Sequence, residues 1–194
     1  MKHSRRSFMM SLGAAACALP QIAWARSERY VLDRRQSLVR FFFNIGDNDG
    51  RGTFPIKSAD VSLDLDRVER SKVDIRVDVK RAKAGDLITT SALKSPEVLN
   101  ARDFPEARFV ATRITRTARW KAIVTGNLTL RGVTQPVTLA AEFLRQPGAP
   151  TDNSMIVVQI KGDLSRNAFG ASGFPNLVND QISLDFQVWL NRET

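Results

Sequence analysis

Apolar and polar residues alternate with a period of two along most of this chain. From Lys72 to Lys80, Val73, Ile75, Val77 and Val79 interleave with Lys72, Asp74, Arg76, Asp78 and Lys80, the pattern of a strand with one buried and one wetted face. The same alternation runs through Val39, Phe41, Phe43 and Ile45, through Val61, Leu63 and Leu65, and through Ala122, Val124, Gly126, Leu128 and Leu130. It continues at Val137, Leu139, Ala141 and Phe143, at Ile156, Val158, Ile160, Gly162 and Leu164, and at Ile182, Leu184, Phe186, Val188 and Leu190. Turn-forming residues separate the runs at Gly46 to Gly52, Arg131-Gly132 and Gln146 to Asn153. The alternation stops from Gly85 to Pro105, where Asp86 is placed to cap a short helix carrying Leu87, Ile88 and Leu93, and Pro96 opens a second turn. A shorter irregular stretch lies between Arg166 and Asp180.

Strands that are apolar on one face only must close over a common interior. The predicted fold is all-β: an extended antiparallel barrel with a short helix at one side, with a two-sheet β-sandwich as the alternative that alternation cannot separate from it. Inward positions mix Phe with Val, Ala and Gly, and small inward residues leave room for a ligand, although Gly126 and Gly162 also read as bends. The pattern alone therefore leaves two readings open, a ligand-bearing cavity and a filled barrel serving as an interaction module.

The first residues do not share this pattern. Residues 1 to 26 have a basic start, an apolar middle from Phe8 to Leu19, and Ala23 and Ala25 flanking Trp24, the layout of a signal peptide cleaved after Ala25. Arg5 and Arg6, with Ser4 before them and Phe8 beyond, resemble a twin-arginine export signal. A competing reading makes Cys17 a lipidation site, but Ala14 stands three residues before it, where such signals usually carry Leu or Val. Removing the first 25 of 194 residues leaves 169, enough for one barrel domain over 26–194.

Cleavage changes the chemistry available. The chain's one His and one Cys are His3 and Cys17, so the exported protein has neither imidazole nor thiol. Ser-His-Asp and Cys-His nucleophile systems, Cys/His zinc sites and disulfides are excluded together. The formal charge of +9 falls to +6, because Lys2, Arg5 and Arg6 leave with no acidic residue. The remaining cations are interspersed with Asp and Glu, which argues against nucleic acid and leaves an anionic membrane surface or a phosphorylated ligand open.

Three local motifs carry no catalysis. Ser91-Ala92-Leu93-Lys94 matches S-x-x-K, but the companion S-D-N and K-T-G elements are missing. Asp47-Asn48-Asp49-Gly50 has the look of a calcium loop, yet Ser58 stands at the twelfth position, and Asp49-Gly50 reads as a hairpin turn. Asp64 with Asp66, and Asp74 with Asp78, read as solvated pairs on outward faces.

Three further stretches resemble the YceI-like family of exported, lipocalin-like proteins. Leu128-Thr129-Leu130-Arg131-Gly132-Val133-Thr134-Gln135-Pro136-Val137-Thr138-Leu139 is similar to that family's L-T-x-x-G-x-T-x-P-V-x-L hairpin. Leu93-Lys94-Ser95-Pro96 with Phe104-Pro105 and Phe109 is similar to its H-L-K-S-P-x-F-F…Y-P-x-x-F segment, and Ser165-Arg166-Asn167-Ala168-Phe169-Gly170 to its R-x-x-F-G turn. With Tyr30-Val31-Leu32-Asp33 and Ser37, the resemblance spans residues 30 to 190. It implies a periplasmic, non-catalytic barrel around an apolar tunnel for a polyprenyl phosphate or an isoprenoid quinone, with no other cofactor and no metal. The expected lining is Val39, Phe41, Phe43, Leu128, Leu139, Phe143, Phe169, Phe186 and Val188. Ala92 stands where the family often has a His, and a second frequent His is missing between Phe43 and Gly52. Head-group contacts therefore fall to other groups; Lys94 and Arg166 are the candidates, because both lie in irregular segments and a guanidinium suits phosphate bidentately. Transient contact with a membrane surface is expected, and association of two chains is an open alternative.

Overall fold

The computed structural model describes residues 28–144 and 152–193. The expected export signal, with Cys17 and the expected cleavage after Ala25, lies outside them. Ten strands and one helix follow in the order β1 (Glu28–Leu32), β2 (Leu38–Ile45), β3 (Asn48–Leu63), β4 (Lys72–Asp78), β5 (Lys83–Ala84), α1 (Leu87–Lys94), β6 (Glu106–Ala118), β7 (Lys121–Leu130), β8 (Val133–Leu144), β9 (Met155–Ser165) and β10 (Gln181–Arg192). Antiparallel pairing runs β10-β2-β3-β4-β6-β7-β8-β9, and β9 pairs back with β10 over eleven register positions from Gln181↔Ser165 to Asn191↔Met155. Eight strands thus close into a barrel. β1 bridges β10 and β3 where β2 has not yet begun, through Tyr30↔Arg192 and Glu28↔Leu63. The 12 residues of β10, at about 3.3 Å each and tilted about 40°, make the barrel roughly 30 Å tall.

One end of the barrel is covered by α1 and the 166–180 segment. Asp86 caps α1 as its sequence position predicts, its carboxylate accepting from the Thr89 amide at 2.8 Å. At the opposite end lie the β6–β7 hairpin and the 64–71 connection.

β6 escapes the alternation pattern for a physical reason. Its register slips between Ala111 and Arg113 and again between Arg116 and Ala118. Ala107, Phe109 and Ala111 pack inward before the first slip and Ile114 after it, so the inward parity changes within one strand. A slip between Ile56 and Ser58 does the same in β3.

The expected turn over Gly46 to Gly52 is mostly strand. The chain reverses at Gly46 (φ +56°) and Asp47, and Asn48 already pairs with Ile45. Asp49 accepts from the Asn44 side chain at 2.8 Å across the hairpin. Gly50 and Gly52 sit beneath aromatic rings: a Cβ at Gly52 would lie 2.1 Å from Phe41 Cζ and 2.7 Å from the Lys83 carbonyl oxygen. Gly126 and Gly162 are covered likewise by the Phe109 ring and the Leu139 side chain, so inward glycines are not where the free space lies. Gly52→Val is expected to lower the unfolding free energy by about 2–3 kcal/mol, because the carbonyl on its far side belongs to β5 and cannot rotate away. A urea midpoint that does not fall would contradict this close approach.

Asp64 departs from the solvated reading. It is buried, with one carboxylate oxygen accepting from the Arg67 amide at 2.8 Å, where it starts the 68–70 turn. Tyr30 closes the same end, its hydroxyl donating to the Asn153 carbonyl at 3.1 Å and to Glu28 at 3.3 Å. Burial, with the Glu28 charge beside it, pushes the hydroxyl pKa up to about 12. A folded-state pKa above the ordinary value of 10 means that Tyr30 stabilises the fold fully below that pH and loses this contribution as pH rises through 12. Because the chain contains one tyrosine, tyrosinate absorbance follows Tyr30 alone. Its midpoint is expected near 12 in the folded protein and near 10 in denaturant; coincident midpoints would contradict the buried hydroxyl.

Candidate functional site

Three adjoining cavities follow the barrel axis. The central one, about 220 Å³, is lined by Val39, Leu128, Leu139, Phe143, Phe186 and Val188, joined by Ile56, Phe109, Val124, Val158 and other apolar side chains. Among the described residues Ser71 is the one polar residue in that lining, and its hydroxyl accepts from the Asp64 amide at 3.0 Å. The wall therefore offers a ligand dispersion contact and the exclusion of water, with a single hydroxyl as its polar handle.

Toward α1 the lumen continues into a cavity of about 450 Å³, which shares Phe54, Leu130, Leu164 and Leu184 with the central one. Phe41 and Phe43 line this end rather than the centre. Phe41 stacks on Phe54 with centroids 4.8 Å apart and on Phe43 at 5.8 Å, which lays the rings along the wall. Thr89 and Arg166 are the polar side chains among its lining residues. Around this mouth Leu87 and Ile88 are 85% and 82% exposed, and Phe174 and Leu177 are also exposed. The helix residues Leu87 and Ile88 thus face solvent, and Leu93 packs toward the barrel beside Phe41 and Phe43.

At the opposite end a cavity of about 360 Å³ shares Val68, Ala122 and Phe143 with the centre. Its wall changes character: Arg116, Arg119, Trp120, Lys121 and Asn153 line it together with Leu65, Leu144, Met155 and Ile156.

Three of the expected site residues take other positions. Phe169 is buried but lines none of these cavities; its ring packs beside Val137 and Leu139, in the turn that ends at Gly170 with φ +70°. Lys94, in the last turn of α1, lines none of them either. Arg166 borders the α1-side cavity, but its donors are committed to backbone. Nε donates to the Asn179 carbonyl (3.0 Å), Nη1 to those of Ala171 (2.5 Å) and Gly173 (2.7 Å), and Nη2 to that of Val178 (2.8 Å). Burial pulls its pKa below the ordinary arginine value, with the Asp180 charge opposing that shift. No two-pronged fork remains for a phosphate; Arg166 ties down the 171–179 segment.

Sequence reasoning missed Phe54, Ile56, Phe109 and Ile114, because the slips in β3 and β6 hid their parity. It also missed the basic end. Arg116, Arg119, Trp120 and Lys121 cluster around a two-residue hairpin turn whose place at a barrel mouth depends on closure.

The comparisons agree with this architecture. The sequence model of the YceI-like domain matches residues 30–190. A UPF0312 protein of Vibrio parahaemolyticus is 32% identical over 134 residues, covering 68% of this chain and 70% of its own length. One from Pseudomonas putida is 30% identical over 182 residues, covering 92% of this chain and 93% of its own. The crystal structure of Burkholderia cenocepacia BcnA superposes with a TM-score of 0.73 at 21% identity, over 81% of this chain and 98% of that one. A polyisoprenoid binding domain from Saccharophagus degradans, implicated in plant cell wall breakdown, superposes with a TM-score of 0.62 at 11% identity, over 87% and 100% of the two chains. At these identities the structures speak for the fold alone. Closed barrel, α1 position and sequence match over residues 30–190 together show that the chain belongs to the YceI-like domain family.

Proposed function

We propose that the protein is a non-catalytic periplasmic carrier that holds a long-chain isoprenoid lipid, a polyprenyl phosphate or an isoprenoid quinone, inside its barrel. The observation that carries this reading is the central lumen, lined among the described residues by apolar side chains and one serine. The binding activity in the name of the Saccharophagus degradans domain supports the same ligand class. Open space inside the barrel disfavours the filled interaction module.

The energetics define what kind of carrier this is. At about 0.8 kcal/mol per buried CH₂, a chain of about forty carbons would gain roughly 30 kcal/mol on leaving water, beyond the practical ceiling of about 18–21. Such a ligand is never free in water, so it comes from a membrane whose interior solvates it equally well, and transient contact with a membrane surface is part of the mechanism. Chain burial sets capacity, and selection rests on lumen length, shape and the head group. A chain longer than the barrel would emerge among Leu87, Ile88, Phe174 and Leu177, which would shield it from water.

The periplasmic assignment rests on the export signal read in residues 1–25. Transport, storage and stress protection are the physiological roles compatible with reversible holding. The test is organic extraction of the natively exported protein followed by mass spectrometry. A stoichiometric long-chain isoprenoid is expected; its repeated absence from protein purified out of the cell envelope would overturn the reading.

A further inference from the structure

We propose that the mouth formed by the β6–β7 hairpin is an anionic head-group site, in which Arg116, Arg119 and Lys121 hold the phosphate of a polyprenyl phosphate whose chain lies in the lumen. The inference rests on the isoprenoid reading above and narrows it, because a quinone head carries no charge for these cations to meet.

Composition along the axis leads to this end. The central lining offers Ser71 alone, and the α1-side lining offers Thr89 and Arg166, whose donors are committed to carbonyls. A charged terminus placed in the centre would be desolvated with a single hydroxyl to meet it, and the α1-side lining gives it no uncommitted cation. The hairpin end supplies three cations, and its floor of Val68, Ala122 and Phe143 is also the wall of the central lumen. An amphiphile can therefore keep its phosphate among cations and its chain among apolar side chains without a break between them.

The cations are held in place rather than neutralised. Arg116 follows Ile114 at the next inward position, and the register slip between Arg116 and Ala118 bends the strand at the rim. Its Nη2 donates to the carbonyls of Leu65 (2.7 Å) and Asp66 (3.1 Å), and Nη1 to that of Arg119 (3.4 Å). Nε remains unengaged by these bonds. The Arg119 guanidinium lies 5.3 Å from the Trp120 ring centroid, which orders it while leaving its N–H edge for an oxyanion. Among the described residues, neither arginine forms an ion pair with a carboxylate. Lys121 is 3.4 Å from Glu142, and both side chains are about half exposed, so the ammonium can exchange this partner for a phosphate. Of the acids on the 64–71 connection, a Glu69 oxygen accepts from the Arg116 amide at 3.5 Å and Asp64 accepts from the Arg67 amide, while Asp66 is exposed and turns its backbone carbonyl to Arg116.

The experiment measures binding to delipidated protein in detergent for three probes: a long-chain polyprenyl phosphate, the polyprenol of equal length, and inorganic phosphate. The phosphate is expected to bind at least tenfold more tightly than the polyprenol at low salt, with the gap narrowing as salt rises. Arg119→Ser combined with Lys121→Ser should reduce that preference below threefold. Lys161→Ser, on the outer face of β9, should leave it unchanged. Both positions of the double variant are exposed, and matching thermal midpoints confirm folding. Equal binding of the two lipids, or a preference that survives the double variant, overturns the head-group site and leaves the carrier reading standing. Tight binding of inorganic phosphate that the chain does not improve overturns it in favour of a free anion. Failure of both lipids to bind overturns the head-group site together with the polyprenyl form of the carrier reading.

Discussion

Replacing Phe186 with glutamate is expected to yield a protein that is purified without lipid. Phe186 is 8% exposed, faces the central lumen and pairs with Ile160 across the β9–β10 ladder. Among the described lining residues a carboxylate there has Ser71 as the one polar side chain, a single hydroxyl for a full charge. The group would either remain charged at a cost of several kcal/mol or bind a proton and hold water, and both outcomes expel a hydrocarbon chain. Destabilisation alone would also empty the barrel, so a second substitution separates the effects. Ala141 lines the same lumen and pairs with Ala122 and Ile160. Ala141→Phe fills space that is open in the structure, so it should keep the unfolding midpoint while greatly reducing extractable lipid. A folded Ala141→Phe protein carrying the normal amount would show that the lumen is not where lipid is held.

The second large effect is expected from Arg166→Met, which should lower the unfolding free energy by about 3–5 kcal/mol. The substitution keeps a long flexible side chain but leaves the carbonyls of Asn179, Ala171, Gly173 and Val178 without their donor. Arg166→Lys offers a single ammonium with three donors at one point, so it should fall between wild type and Met. Hydrogen exchange should quicken across residues 171–179 in both variants. A near-neutral Arg166→Met, measured by denaturant unfolding, would mean that other bonds hold this segment.

Much of the barrel was legible because side-chain period reports strand orientation directly. Every alternating run lies on a strand, although Val79 and Lys80 run past the end of β4 and Leu65 past the end of β3, and Asp86 does start the helix. β6 was not legible, since two slips within 13 residues break the period on which the inference depends. Gly50 and Gly52 were misread because glycine serves turns and close approaches alike, and only the Phe43 and Phe41 rings above them decide which. Six of the nine expected lining residues face the central cavity and two the α1-side cavity. Phe169 does not, because it lies in an irregular segment where no period says which way a ring points.

The division has one physical origin. The chain by itself determined the all-β class, the inward face of each regular strand, the capped helix and the want of imidazole and thiol beyond residue 17, because these depend on residue identity and on a periodicity built into the backbone. The tertiary structure alone decided that the sheet closes as a ring of eight, that Arg166 serves backbone carbonyls, and that Arg116, Arg119 and Lys121 meet a hydrocarbon lumen at one mouth. Those facts depend on which strands pair and where their registers slip, and pairing is settled between residues far apart in sequence, where local pattern carries no information.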